Sequence, residues 1–160
     1  MPVAGAGALP GRRVTLTTAA PPQVSPRSHD APLRLVVSRT RPPAVALSLA
    51  AHCRAERVPM GSAGATAMAV VLDEADIYVH AGGQYEWDSA APAPAAVATA
   101  AELHVSRIDG TALQYNQADP WLPDLLICRP ELAARTLDAL RELSARGWAS
   151  EGSAPRAELP

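Results

Sequence analysis

The sequence predicts an α/β fold, a layered sandwich in which a mixed sheet is flanked by helices. Three observations favour this class. Short runs of β-branched residues alternate with helical stretches, proline and glycine mark the boundaries between them, and 160 residues are enough for one domain with a real core. The sequence shows no internal repeat, so we expect a single α/β domain.

Residues 1–32 differ in composition from the rest of the chain. They are rich in Ala, Gly, Pro, Ser and Thr, and prolines interrupt their second half. We expect a leading segment or linker that is poorly ordered apart from one short strand at 14–18. The α/β domain is expected at 33–147, followed by a loose tail at 148–160.

Strands and helices alternate from residue 33 onward. The β-branched run at 33–38 predicts a buried strand, and Pro43 favours the start of a helix at 44–53. A short strand at 57–60 leads into a helix of small residues at 62–72. This order of elements is typical of a sheet covered by helices.

The second half of the chain continues the alternation. An apolar run predicts a strand at 76–81, and a stretch of alanines predicts a helix at 89–101. Alternating runs at 103–108 and 112–115 flank Asp109-Gly110, which predicts a hairpin. The last two predicted elements are a strand at 124–128 and an amphipathic helix at 131–146.

Composition narrows the class of function. Hydrophobic residues make up 48% and charged residues 19%, and the net charge is -2, which excludes general disorder and a nucleic-acid-binding surface. Cys53 and Cys128 lie far apart, so we expect two structural thiols rather than a zinc site or a disulfide. No run reaches the roughly 18 apolar residues of a membrane span. We expect a soluble, cytoplasmic protein with a small-molecule partner.

Asp88 lies at a predicted junction between a strand and a helix. The apolar strand ends at Ala81–Gly83, and alanines open a helix directly after Asp88. The free N–H groups and the dipole of a helix favour an anion at its amino end. Asp88 can therefore be held rigidly as a metal ligand, and the alternative role is an N-cap only.

Trp87-Asp88-Ser89-Ala90-Ala91 resembles the second signature, Trp-Asp-x-Ala-Ala, of a superfamily of Mg-dependent phosphomonoesterases. This superfamily includes inositol monophosphatase, fructose bisphosphatase and the 3'(2'),5'-bisphosphate nucleotidases. The context at Gly61-Ser62-Ala63-Gly64 and at Ala75–His80 is most similar to the bacterial bisphosphate nucleotidases. The likeness runs over residues 33–132.

The resemblance implies the carboxyl-terminal half of the sugar-phosphatase fold, with Mg as cofactor and Asp88 as a metal ligand. Two or three Mg ions activate a water and neutralise the phosphate in such enzymes. The first signature, Asp-Pro-x-Asp-Gly-Thr, is absent, and Asp109-Gly110-Thr111 only imitates its end. We therefore assign no catalytic residue, expect the chain alone to be inactive, and expect self-association through exposed apolar surface.

Four residues are predicted to contact substrate by the same resemblance. Ser62 begins a helix and is suited to a phosphate or ribose, although it can equally be a helix cap. Ser38 and Arg39 follow a strand, where arginine can bind phosphate or form a solvated loop. His80 ends a strand and can contact a nucleotide or simply cap the sheet edge.

Three residues depart from the pattern of the family. Thr66 occupies a position where close relatives often have lysine. Glu102 stands where relatives place a glycine after a helix, a position that favours positive φ. Pro94 is expected one turn inside the helix that follows Asp88, where it removes a backbone donor.

The function that the resemblance implies is removal of the 3'-phosphate from 3'-phosphoadenosine 5'-phosphate, or from its 5'-phosphosulfate, in sulfur assimilation. One alternative is an inositol or sugar monophosphatase, because Trp-Asp-x-Ala-Ala is common to the superfamily. The other alternative belongs to a different class, a non-catalytic remnant or interaction domain.

Overall fold

The computed structural model describes residues 4–28, 30–87, 92–118 and 121–147 of the chain. A hairpin and a five-stranded sheet account for the strands in these ranges. The strands are β1 Ala6–Leu9, β2 Val14–Thr17, β3 Arg34–Ser38, β4 Glu56–Met60, β5 Ile77–Trp87, β6 His104–Ser106 and β7 Trp121–Cys128. The helices are α1 Ala44–Cys53, α2 Ala63–Val71, α3 Pro92–Ala100 and α4 Ala133–Ala145.

The large sheet is mixed and has the strand order β4-β3-β5-β7-β6. Strand β3 runs parallel to both of its neighbours, and Val36 pairs with Val58 on β4 and with Tyr78 on β5. Strand β7 runs antiparallel to β5 and to β6. The parallel pairs require crossover helices, whereas the antiparallel strands close the other side of the sheet.

Helices cover both faces of the sheet, so the sheet separates two hydrophobic cores. On one face, α1 and α4 pack on the core that includes Leu35, Val37, Ile77, Val79, Leu126 and Cys128. On the other face, α2 and α3 pack on the core that includes Val36, Tyr78, Leu125 and Ile127. This arrangement confirms the predicted layered α/β sandwich with a mixed sheet.

Residues 4–28 contain more structure than the sequence predicted. Strand β2 confirms the expected short strand, but β1 was not predicted, and the two strands form a hairpin over α2 and α3. A Cβ on Gly5 would lie only 2.9 Å from the carbonyl oxygen of Ala93. The small residues that suggest a linker therefore allow the hairpin to approach the helix closely.

A buried ion cluster joins distant parts of the chain at the amino ends of the parallel strands. Asp76 is fully buried and accepts hydrogen bonds from the Arg34 backbone N at 2.8 Å and from Arg129 Nε at 2.8 Å. Arg129 also donates to the carbonyl of Ser25 and to Asp73. The cluster thus fixes the segment before β3 against the sheet.

Helices α1, α2 and α3 are each followed by a residue other than glycine with a left-handed backbone. These residues are Arg54, Asp73 and Glu102, with φ of 52°, 59° and 61°. The positive φ expected at Glu102 is confirmed. Pro94 lies in α3, which is described from Pro92 onward. Residues 88–91 lie outside the described residues, so its expected place one turn inside the helix stays a prediction.

The predicted hairpin at 103–108 and 112–115 is wrong in its second strand. Residues 112–115 form no strand, and β6 pairs with β7 through Ser106 and Leu126. The turn itself is confirmed, since Asp109 accepts a hydrogen bond from the Thr111 backbone N at 2.8 Å and Gly110 has φ of 88°. Among the described helices, none has the length and apolar character needed to cross a bilayer.

Asp76→Asn is expected to lower the free energy of unfolding by about 3–5 kcal/mol, because it leaves the buried charge of Arg129 without its main partner. Urea unfolding measures the change. Asp73→Asn is the matched control, since the Asp73 side chain is 54% exposed. It is expected to cost about 1 kcal/mol or less. Equal losses in the two variants would contradict the role of the buried cluster.

The same cluster gives the stability a predictable dependence on pH. Burial alone would raise the pKa of Asp76, but hydrogen bonds from Arg34 and Arg129 together outweigh it and lower the pKa below its ordinary value. Because the folded-state pKa of Asp76 is lowered, its ionised form stabilises the fold. This stabilisation is complete above the unfolded-state pKa of about 3.9 and is lost as pH falls through the lower folded-state pKa. The stability gap between the wild type and Asp76→Asn should therefore narrow in acid.

Glu102→Gly is expected to raise the free energy of unfolding by about 1 kcal/mol, because glycine adopts positive φ without the clash of a Cβ. Thermal unfolding measures the gain. Glu102→Gln is the control, since it removes the charge and keeps the strained backbone, and it should leave the stability unchanged. A similar gain in both variants would show that the charge, and not the backbone, is responsible.

Candidate functional site

Strands β3 and β4 end at one edge of the sheet, which we call the carboxyl edge. Their parallel neighbour β5 passes this edge at His80 and continues to Trp87, so the strand end predicted at residue 81 is wrong. Ser38 pairs with Met60 there, and Arg39 N donates to the Met60 carbonyl at 2.8 Å. His80 lies two residues beyond Tyr78, whose partner Val36 lies two residues before Ser38. Because side chains alternate along a strand, Ser38 and His80 lie level with each other on the α2 and α3 face.

Helix α2 begins at the same edge, because it follows β4 and packs back along the sheet. Ser62 immediately precedes this helix, with φ of 72° and ψ of 123°, and its side chain makes no cap hydrogen bond. Its carbonyl accepts the Thr66 backbone N at 3.0 Å. Ser62 is therefore the N-cap residue of α2 by position, but its side chain does not cap the helix. Within the described part of the chain, its exposed hydroxyl has no hydrogen-bond partner.

Ser38 and Arg39 form the turn that leaves β3. The Ser38 hydroxyl accepts a hydrogen bond from the Arg41 backbone N at 3.2 Å and can still donate its own proton. Arg39 and Arg41 are exposed, and neither makes an ion pair with any residue in the described ranges. Two guanidinium groups are thus available to an anion at this edge.

Thr66 supplies no charge to the carboxyl edge. Its side chain is only 4% exposed, and its hydroxyl donates to the Ser62 carbonyl at 2.6 Å. The Thr66 hydroxyl therefore bonds within its own helix. The exposed Arg39 and Arg41, in the turn after β3, supply positive charge at this edge.

Sequence reasoning missed one ion pair at the carboxyl edge. Asp124 pairs with Ala81 across β5 and β7, is 5% exposed, and binds Arg107 Nη2 at 2.6 Å. It also accepts the Ile108 backbone N at 2.9 Å. The hydrogen bond with Asp124 is the main cause that raises the pKa of Arg107. The signal was present in the sequence as a lone charge inside the apolar run of β7.

The described residues do not by themselves form a magnesium site. Asp88, the predicted metal ligand, lies outside the described residues, and within those ranges no three His, Cys, Asp or Glu side chains come together for a metal. Asp124 is already satisfied by Arg107 and the Ile108 backbone. A hard cation that prefers six oxygen ligands therefore needs groups beyond these.

The two cysteines are free thiols, as the sequence predicted. Burial raises the pKa of Cys128 to about 12 and also raises the pKa of Cys53. Thiolates are the reactive and metal-binding form of cysteine, so these shifts suppress both kinds of chemistry. Both residues are consistent with a structural role.

Comparison with known proteins finds relatives that are named as phosphatases. No family model matches the chain. The 3'-phosphoadenosine 5'-phosphate phosphatase of Mycobacterium tuberculosis is 50% identical over 131 residues, which are 82% of this chain and 47% of that protein. The protein of the same name from Mycobacterium leprae is 51% identical over 111 residues, 69% of this chain and 40% of its own length.

Solved structures show the same fold at low sequence identity. The suhB extragenic suppressor protein of Bartonella henselae gives a TM-score of 0.66 at 15% identity and covers 88% of this chain and 57% of its own. CysQ of Bacteroides thetaiotaomicron, a bacterial member of the inositol monophosphatase family, gives 0.53 at 22% identity over 68% and 40% of the two chains.

The chain spans about half the length of the curated relatives that it matches. The predicted resemblance is confirmed by the identity to those relatives, and the predicted fold by the solved structures. About half of the matched residues are identical to those of bacterial 3'-phosphoadenosine 5'-phosphate phosphatases, and the fold is that of a bacterial member of the inositol monophosphatase family.

Proposed function

We propose that this chain supplies about half of a bisphosphate nucleotidase that removes the 3'-phosphate of 3'-phosphoadenosine 5'-phosphate. The observation that carries the proposal is the carboxyl edge, where Ser38, His80 and the Ser62 helix start lie together. The 50% identity to phosphatases named for this substrate supports the choice of a nucleotide. Sulfur assimilation and a cytoplasmic location stay predictions.

Each residue of the edge would have a distinct role toward the substrate. Arg39 would bind a phosphate through two parallel N–H bonds, which is the arrangement that guanidinium groups favour. Ser62 and the free N–H groups at the start of α2 would hold a second anionic or hydroxyl group. Ser38 would donate its remaining proton, and His80 would contact the nucleotide. These roles position the substrate and involve no bond breaking.

Magnesium is the cofactor that we propose for the complete enzyme, with Asp88 as one of its ligands. A bound magnesium ion supplies a charge that neutralises phosphate oxygens and activates water. A single carboxylate binds magnesium weakly, because the ion requires further carboxylates or substrate phosphates. The chain alone is therefore expected to bind magnesium weakly and to be inactive, and we assign no catalytic acid or base.

Two alternatives differ from this proposal in ways that can be measured. An inositol or sugar monophosphatase has the same fold, and solved neighbours include a staphylococcal enzyme bound to inositol monophosphate and to 2'AMP. A non-catalytic remnant would need neither metal nor substrate. We also infer that the chain alone self-associates through exposed apolar surface, which light scattering can measure.

A chimera tests the proposed function directly. This chain would replace the matching 131 residues of the Mycobacterium tuberculosis relative. We expect the chimera to hydrolyse 3'-phosphoadenosine 5'-phosphate in preference to inositol monophosphate, and Asp88→Asn to reduce the rate at least about 100-fold through loss of a metal ligand. Asp109→Asn, in the exposed turn, is the control and should leave the rate unchanged.

The same chimera separates the alternatives. A preference for inositol monophosphate would favour the sugar-phosphatase alternative. The non-catalytic alternative requires two results together: an inactive chimera that folds normally, and no magnesium binding by the chain in calorimetric titration. Asp88→Asn would then change neither measurement.

Arg39→Ala is expected to weaken binding of adenosine 3',5'-bisphosphate about 10-fold or more, because a charge-assisted hydrogen bond contributes about 1.5–3 kcal/mol. Titration of the purified chain, followed by NMR or calorimetry, measures the affinity. Arg135→Ala is the matched control, since Arg135 is an exposed arginine on α4. Equal weakening by both substitutions would show that binding depends on overall positive charge and not on a specific contact of Arg39.

A further inference from the structure

The chain leaves β6 at the carboxyl edge, on the side of the sheet away from β3. Strands β5 and β6 both run antiparallel to β7, so β6 ends at the same edge as β3. Leu125 of β7 pairs with His80, and the next residue, Leu126, pairs with Ser106. Arg107, the first residue after β6, therefore lies level with His80.

Asp124 fixes the first two residues that follow β6. Backbone pairing of β6 with β7 ends at Ser106, and the Ile108 backbone N donates instead to the Asp124 carboxylate at 2.9 Å. The same carboxylate accepts Arg107 Nε at 3.2 Å and Nη2 at 2.6 Å. Asp124 is buried, and hydrogen bonds between charged groups are strong. The carboxylate thus continues the ladder beyond its last backbone pair and determines where the following segment begins.

The segment after Arg107 crosses the carboxyl edge from one face of the sheet to the other. Ile108 packs against the core under α1 and α4. Leu113 and Tyr115 pack against the core under α2 and α3, which is the face that carries Ser38 and His80. The segment therefore ends on the face of the candidate site.

Residues 112–117, which we call the amide loop, carry three exposed carboxamide side chains, Gln114, Asn116 and Gln117. Gln117 Nε2 donates to the Tyr115 carbonyl at 3.0 Å, so this amide is directed back at the loop. Gln114 lies between the half-buried Leu113 and Tyr115, which hold its backbone in place. A carboxamide presents a donor and an acceptor side by side, and this pattern matches N7 and N6 of adenine.

The position of the amide loop suits a ligand that has phosphate at one end and a base at the other. Strands β3 and β6 are three strand spacings apart in the sheet, or about 14 Å. Arg39, which follows β3, is the proposed phosphate contact, and a nucleotide has its phosphates and its base at opposite ends. The base of a nucleotide held by Arg39 can therefore extend toward the amide loop.

We propose that Gln114 recognises the adenine base of the substrate, and that Asp124 is the positioning residue that holds the amide loop for this contact. The proposal rests on the proposed function, because it requires a nucleotide at the carboxyl edge. It adds a base-specific contact to phosphate contacts that cannot distinguish one nucleotide from another. Asp124 acts only through Arg107 and Ile108 and touches no substrate atom.

The chimera described above tests the contact of Gln114 with two nucleotides, adenosine 3',5'-bisphosphate and inosine 3',5'-bisphosphate. Inosine has an oxygen acceptor in place of the N6 donor, so it cannot match the carboxamide in the same way. Gln114→Ala should raise KM for the adenosine nucleotide at least about 5-fold, leave kcat unchanged and remove most of the preference for adenosine. Gln117→Ala is the matched control and should change the preference less than about 2-fold.

Asp124→Ala tests the positioning role. It should make the Ile108 amide exchange at least about 10-fold faster and should lower the same preference for adenosine. When Gln114→Ala is already present, Asp124→Ala should lower the preference no further, because both substitutions remove one contact. A purely structural role would reduce stability or kcat and leave the preference intact.

Full retention of the adenosine preference in Gln114→Ala would overturn the base contact, and an additional loss of preference in the double variant would overturn the positioning role. Titration of both nucleotides into the chain alone, followed by NMR, separates this proposal from the proposed function. Tighter binding of the adenosine nucleotide that depends on Gln114, together with an inactive chimera, would support the base contact and contradict the catalytic assignment. Equal affinity of the chain for both nucleotides, or equal KM values in an active chimera, would overturn the base contact alone.

Discussion

The structure depends on one buried carboxylate at the amino ends of the parallel strands. Asp76 has no exposed surface and binds two arginines that are far apart in the sequence. Arg34 begins β3, and Arg129 directly follows β7. A buried charge is tolerated only when it is paired and hydrogen-bonded, so the three side chains must be placed together or not at all. This requirement sets the register of β3 against β5 and holds the segment around Ser25 in place. Among the described residues, the opposite edge carries no ion pair other than that of Arg107 with Asp124, and it can present polar groups to a ligand.

The sequence predicted the elements whose signals are local. Residues 44–53 have both a proline start and a helical pattern, and α1 has those bounds. Strands β3 and β4 were predicted within one residue of their starts, β3 from its β-branched run and β4 as the short stretch that leads to Gly61. The turn at Asp109-Gly110 was also predictable, but its partner strand was not. Strand β6 pairs with the buried strand β7. This pairing is a long-range contact, and a local sequence pattern does not show it.

The candidate site was predictable only in part, for a similar reason. Ser38 ends β3 and Ser62 precedes α2, and such residues meet at one edge of a parallel sheet. His80 was predicted to end its strand but lies within β5, which continues to Trp87. The lone charge of Asp124 in β7 indicated a buried partner, but only the pairing of strands in the sheet shows that this partner is Arg107. The hairpin was missed because alanine and glycine are typical of linkers, although here they serve close packing on α3. The role of Asp88 stays a prediction.

The two thiols differ in depth, and this difference makes them internal reporters of motion. Cys53 is partly accessible at the end of α1, whereas Cys128 is completely enclosed beneath the sheet. An alkylating reagent can reach Cys53 during small local openings of α1. It can reach Cys128 only when the helices on that face separate from the sheet. The ratio of the two labelling rates therefore distinguishes fraying of one helix from loss of the entire native state, without any engineered probe.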